Sequence, residues 1–228
     1  MMSDQKPLFM KKLFWILITY TLTIVACTKS NATLSEDSGC IERILIPVTA
    51  HSINSVEIPT VNNLFINNGI DNSKFRYYKY IHDTLLTLYS PYTKYDQKTV
   101  RVDQYTNGVK LFTGDLVYNF LSNSFNSKGG NITNGTFLNT SAQLTLGRLR
   151  KLFVDDIELF DHNGKQYKDS CFNAEFGYYN LNAGTGNTSE NLVKAWHLTP
   201  KFNSYPEAYY QDIAGKIIYY FNGIETFK

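Results

Sequence analysis

An Asn-Gly pair at positions 107–108, with an alternating run on each side, constrains this chain more than any other feature. Upstream, Val100, Val102 and Gln104 alternate with Arg101, Asp103 and Tyr105. Downstream, Val109, Leu111 and Phe112 start a return run, and Leu116, Tyr118 and Phe120 continue an alternating face after Gly114. Asn-Gly supplies the two positive φ angles of a type I′ turn, so the stretch predicts a β-hairpin. A slip of one residue would turn the apolar set toward water, which specifies the register. Composition agrees, since 17 Tyr and 15 Phe against 18% charged residues favour strand over helix.

Two segments carry helical spacing instead. Val61, Leu64, Phe65 and Asn68 share one face of a short helix that opens near Pro59 and stops at Gly69. Leu146, Leu149, Phe153 and Ile157 mark a longer one, with Arg148, Arg150, Lys151, Asp155 and Asp156 around its other faces. A first strand is predicted within 41–48, and 74–100 is aromatic and strand-prone with a break at Ser90-Pro91. The polar, glycine-bearing stretch NSFNSKGGNITNGTFLNTSAQ is expected to be a linker. Four strands follow the second helix, CFNAEFGYYNLN, NLVKAWHLTP, YPEAYYQD and KIIYYFNGI, with turns at Gly164, Gly184 to Asn187 and Ala214-Gly215. Two successive units, each a helix followed by antiparallel strands, predict an α+β fold.

The N-terminus carries an address. Lys11 and Lys12 precede an apolar run from Leu13 to Ala26, too short to cross a bilayer comfortably but suited to the core of a secretory signal. Its end, Ile24-Val25-Ala26-Cys27, resembles the lipobox of bacterial lipoproteins, with Ile24 where the pattern prefers Leu. The resemblance implies a processed signal peptide over 1–26, acylation of Cys27 and attachment of the new N-terminus to the bilayer. An ordinary cleavable signal and an N-terminal membrane helix are the alternatives. Two or three acyl chains at about 0.8 kcal/mol per buried CH₂ anchor stably where one does not. Residues 27–39 are small, polar and aperiodic, as a flexible tether should be.

Lys6, Lys11, Lys12 and Asp4 lie in the removed part and carry a net +2, which cancels the formal +2 of the whole chain. The mature chain is therefore neutral and offers no basic field to nucleic acid. Cys40 and Cys171 remain. They either pair, closing a loop of about 130 residues worth about 2–5 kcal/mol, or stand as two separate buried thiols.

The tail from Asn191 to Gly223 resembles a PepSY domain, on Ala195 and Trp196 in one strand, Asp212 at the end of the next, a Gly215-Lys216 turn and Ile217 opening the last. RVDQYTNGVKLFTGDL is similar to the hairpin of the fungalysin and thermolysin propeptide family, on Arg101, Gln104, Gly108, Val109, Phe112 and Gly114. The pair implies two cystatin-like units, each a helix packed on a curved antiparallel sheet: a propeptide-like unit over 40–122, a linker over 123–140 and a PepSY-like unit over 141–228. On that reading Trp196, Leu198, Tyr209, Ile217, Tyr219 and Phe221 line the inner sheet face against Leu149 and Phe153 as core.

No HExxH run is present, and His51, His82, His162 and His197 stand singly without ligand spacing, so neither a metal site nor a cofactor nor a catalytic set is expected. Gly184-Thr185-Gly186 lacks the flanking strand, helix and Lys of a phosphate loop and reads as a turn. Asp155, Asp156, Glu158 and Asp161 read as a solvated helix end rather than a cation site. The expected function is a non-enzymatic, lipid-anchored protein of the bacterial cell envelope, facing periplasm or cell surface, that binds, inhibits or escorts a secreted peptidase or another envelope protein. The alternative is a surface module that captures a glycan or peptide for nutrient uptake, using Tyr77, Tyr78, Tyr80, Tyr89, Tyr92 and Tyr95.

Overall fold

The hairpin at Asn107-Gly108 sits at the middle of the fold. The computed structural model describes residues 39–86, 94–133, 139–161 and 164–224. Strands β3 (Lys94–Thr106) and β4 (Val109–Leu121) pair antiparallel across it, Thr106 opposite Val109, with φ of 51° at Asn107 and 75° at Gly108. Strand β2 (Phe75–Leu86) flanks β3. Strands β6 (Phe172–Asn180), β7 (Leu192–Pro200), β8 (Glu207–Gln211) and β9 (Ile217–Phe221) follow one another antiparallel. The fold is α+β.

One sheet holds all nine strands of the described residues, in the order β2-β3-β4-β6-β7-β8-β9. The antiparallel pattern expected from the sequence is interrupted twice, so the sheet is mixed. β4 runs parallel to β6 at Lys110–Gly177 and Leu111–Tyr178, and β1 (Ile41–Ile44) lies parallel to β6 from Ile41–Phe172 to Ile44–Glu175. The close β4–β6 approach depends on Gly177. A Cβ there would stand 2.4 Å from the Lys110 carbonyl oxygen and 2.8 Å from the Phe112 ring.

Helix α1 (Ile58–Asn67) carries Pro59 in its first turn, buries Val61, Leu64 and Phe65, and is followed by Gly69 at φ 66°. Those side chains meet Phe75, Tyr77, Val100, Val102, Leu116, Tyr118 and Phe120 from the sheet. Phe65 lies at the centre, 4.9 Å from Tyr118 and 5.8 Å from Phe120 in edge-on geometry. Helix α2 (Leu146–Phe160) is capped by the Thr145 hydroxyl, which accepts from the Arg148 N–H at 3.2 Å. It buries Leu149, Phe153, Val154 and Ile157 against Phe172, Ala174, Phe176, Tyr178, Trp196, Leu198, Ala208 and Tyr210. Fully burying a Leu or Phe is worth about 1.5–3 kcal/mol, so these two clusters are the main source of stability.

Four sequence expectations change. Ser124–Gly129, inside the expected linker, is strand β5, paired with β4. Its turn is Ser122-Asn123, with positive φ at both residues and no glycine. Tertiary bonds hold it: the Asn68 amide donates to the Leu64 and Asn123 carbonyls at 2.7 and 2.8 Å, and its oxygen accepts from the Phe125 N–H at 2.7 Å. Asn68 therefore stitches α1 to this hairpin instead of extending the apolar face. Arg150 on α2 is 4% exposed; its guanidinium donates to the Lys168 carbonyl and lies 5.3 Å from the Phe172 ring centre.

Gly164, expected in a turn, opens a 3₁₀ helix over Gly164–Tyr167. Finally, the predicted inner row of the tail divides. Trp196, Leu198 and Ile217 join the α2 cluster, while Tyr209, Tyr219 and Phe221 occupy the opposite face. Tyr209 is turned away by plain alternation, because Tyr210 and Ala208 pair with Trp196 and Leu198; Tyr219 and Phe221 are turned away by a bulge, because Tyr209 opposes Tyr219 but Tyr210 opposes Ile217.

Asp212, the acidic residue at the end of β8, is fully buried. Its Oδ1 accepts from the Leu144 N–H at 3.1 Å and the Trp196 Nε1–H at 2.8 Å, and both carboxylate oxygens accept from the Gln143 N–H at 2.9 Å. Lys194 Nζ lies 3.5 Å away. One carboxylate thus fastens the segment just before α2 to β7 and β8. Cys40 and Cys171 are joined by a disulfide, Cα–Cα 4.5 Å, at the start of β1 and β6. Among the described residues no helix is long and apolar enough to cross a membrane.

Candidate functional site

Register decides which face is open. Val100, Val102, Gln104 and Thr106 lie on one face of β3; Val102 pairs with Leu116 and Thr106 with Val109, so both helix clusters lie on that same face. The other face carries Asp103, Tyr105, Lys110, Glu175, Gly177, His197 and Tyr209, and no helix of the described residues covers it. This helix-free face is the candidate functional surface.

Over β2 to β4 it is charged. Asp103 accepts from Arg76 Nη1 at 2.8 Å and faces Lys110 Nζ at 3.0 Å. Asp115 accepts from Arg101 at 2.7 Å and from the Tyr78 hydroxyl at 2.5 Å, and the Arg101 guanidinium lies 5.5 Å from the Tyr78 ring centre. Tyr78 reaches this face through a bulge between Tyr77 and Lys79. Burial, then the Asp115 hydrogen bond, pushes its phenol well above the usual range.

Over β6 to β9 the same face is aromatic. Phe112 crosses from β4 to lie 5.7 Å from His197 and 5.3 Å from Tyr209. His197 stacks on Tyr209 at 4.4 Å and 12°. Tyr209 continues to Tyr179 at 5.3 Å and Tyr219 at 6.1 Å, Tyr219 to Phe221 at 6.4 Å, and Phe221 to Tyr205 at 5.1 Å. His197 Nε2 and Glu207 Oε2 are 2.7 Å apart. Burial raises the Tyr209 phenol above its usual range.

Glu175 lies where the two halves meet. It is 6% exposed, and among the described residues no donor reaches its carboxylate within hydrogen-bond distance. Burial raises its pKa, opposed by the charges of Lys110 and His197. The Tyr105 hydroxyl, also buried, has no hydrogen-bond partner among the described residues.

The residues singled out from sequence fall as follows. Cys27 and the segment before Gly39 lie outside the described residues, as do His162, Tyr89 and Tyr92. Tyr77 belongs to the α1 cluster and is not available as a stacking surface, and Tyr80 is half-buried against that cluster. Tyr95 is half-buried. Gly184 and Gly186 have positive φ in the β6–β7 turn. Asp156 accepts from the Tyr210 hydroxyl at 2.7 Å, a packing role. Among the described residues no group of three or more His, Cys, Asp or Glu is gathered to hold a metal. His82 meets Asp96, and His51 Nδ1 accepts from the Tyr77 N–H at 3.0 Å.

The aromatic row itself was missed. Tyr209, Tyr219 and Phe221 were expected in the core, and the bulge between β8 and β9 leaves no mark in the period-2 pattern. Compared with protein-family models and with curated proteins, the chain matches none.

Proposed function

We propose that this chain is a non-enzymatic, lipid-anchored protein of the bacterial cell envelope that binds a secreted peptidase or another envelope protein through the helix-free face of its sheet. The observation that carries this reading is the face itself: a continuous aromatic row beside an ion-paired half, with Tyr205 and Tyr219 among the exposed large hydrophobic residues. Aromatic surface beside a polar, charged border suits protein recognition. Lipid attachment through Cys27 rests on the lipobox resemblance. The division into a propeptide-like unit over 40–122 and a PepSY-like unit over 141–228, each cystatin-like, draws support from the separate clusters under α1 and α2.

Two measurements test it. Radiolabelled palmitate should enter the wild-type chain and not Cys27→Ser. The full chain should inhibit, or form a stable complex with, a secreted metallopeptidase or a defined envelope protein, and Tyr209→Ser with Tyr219→Ser should weaken that binding about tenfold or more, about 1.4 kcal/mol. Loss of neither inhibition nor complex in the double variant, or no binding at all, overturns the reading.

The second reading, a ligand-capture module for a glycan or peptide, is favoured by one feature: a cavity of about 410 Å³ at the end of the aromatic row.

A further inference from the structure

On that second reading we propose that the cavity formed by β6, β7 and the β7–β8 connection binds a neutral sugar ring, stacked on Phe202 and Tyr205. Its volume of about 410 Å³ lies within the range of small-ligand sites. Phe202, 87% exposed, is the most exposed of the large apolar residues described, and Tyr205 is 45% exposed. Both line the cavity. A bare aromatic ring costs solvation free energy that a flat apolar partner would recover.

Tyr205 is held in place before any ligand arrives. Its ring meets Phe221 edge-on, 5.1 Å between centroids and 88° between planes. Gly223, at φ 87°, lies against the ring, and a Cβ there would stand 2.9 Å from Tyr205 Cγ. A ring fixed in this way loses little freedom on binding.

The charges argue for a neutral ligand. Among the lining residues Lys201 and Glu207 are the only Lys, Arg, Asp or Glu, one of each sign; Lys201 pairs with Glu42 at 2.7 Å and Glu207 Oε2 lies 2.7 Å from His197 Nε2, so neither stands as a bare charge to attract an ion. What remains suits hydroxyls, which both donate and accept. Glu207 meets His197 through Oε2, and among the described residues nothing donates to its Oε1. The Asn173 amide, also in the lining, likewise has no bond to a described residue and offers both a donor and an acceptor. A pyranose presents a C–H face to aromatic rings and hydroxyls at its rim, which matches this distribution.

The test is saturation-transfer NMR on the full chain in a detergent without a sugar headgroup. The probes are glucose, galactose, mannose, N-acetylglucosamine and their β-linked disaccharides, each at about 10 mM, above the millimolar Kd of a weak site. At least one sugar should show transfer. Phe202→Ala, which removes an exposed ring, should lower affinity about tenfold with circular dichroism and Trp196 emission unchanged, and Asn173→Ala should weaken it independently. No transfer from any probe, or transfer unchanged in Phe202→Ala, overturns the assignment. A peptide that occupies the cavity where no sugar does also overturns it. Partner binding that survives Phe202→Ala while every sugar fails leaves the protein-binding reading standing and removes the sugar site alone.

Discussion

Replacing Asp212 tests the view that a single carboxylate holds the α2 half together. In Asp212→Ala the N–H groups of Gln143, Leu144 and Trp196 Nε1 lose their acceptor, and Lys194, whose side chain is 9% exposed, keeps a charge without its counterion. Hydrogen bonds to a charged group are worth about 1.5–3 kcal/mol each, but neighbours are not additive. Breaking a buried pair by removing one partner costs about 3–5 kcal/mol. The expected loss for Ala is therefore about 3–5 kcal/mol. Asn should cost less, about 1.5–3 kcal/mol, because its oxygen can keep the three bonds to Oδ1 while its amide group faces the Gln143 N–H and the Lys194 ammonium. At about 2–4 °C per kcal/mol for a domain of this size, the Asn variant should melt about 3–12 °C below wild type. Urea unfolding followed by Trp196 emission reads both variants at the site of the lost bond. A sign test accompanies it. Lys194→Met should destabilise the wild type yet be neutral or stabilising in Asp212→Ala, where it removes a stranded charge. An Ala variant within 1 kcal/mol of wild type (cf. the spread for surface changes), or Lys194→Met equally costly in both backgrounds, would refute the reasoning.

Three further outcomes are expected. Replacing both Cys40 and Cys171 with Ser should cost about 2–5 kcal/mol, read as a shift of the urea midpoint, since the bridge closes a separation of 131 residues. Burial, and then the neighbouring Arg76 charge, hold His51 below its ordinary 6.5. The unfolded chain therefore takes up that proton first, and stability present above pH 6.5 is lost as pH falls through the lower folded value. His51→Ala should flatten that slope in melts at a series of pH values. Gly177→Ala should force β4 away from β6, costing about 1–3 kcal/mol, and should move the Phe112 ring off His197 and Tyr209, visible in near-ultraviolet circular dichroism.

Elements with a local signature were legible in the sequence. Asn107-Gly108 announced its hairpin, and the spacing of Leu149, Phe153 and Ile157 located the buried side of α2. What escaped depends on distant parts of the chain. Ser122-Asn123 forms a tight turn because Asn68 bonds it from α1, 55 and 57 residues away in sequence. The parallel Lys110–Gly177 and Leu111–Tyr178 contacts that merge two expected sheets into one occupy only two residue pairs. Between Asp103 and Tyr105 β3 spends one residue where β4 spends four, Leu111 to Gly114, an irregularity that periodicity does not register. The candidate face was illegible for the same reason: pleat parity tells which residues share a face only until the first bulge.

The covalent bridge between Cys40 and Cys171 also has a mechanical meaning. Any pull on the chain ahead of Gly39 reaches the bridge before it reaches the hydrogen bonds of β1, and passes at once to Cys171, the residue that leads into β6. Tension then enters at an interior strand, flanked by β1 and β4 on one edge and β7 on the other. Peeling β1 off the sheet cannot relieve the load, so a domain moored by its N-terminal end would yield only when several rows of hydrogen bonds shear together.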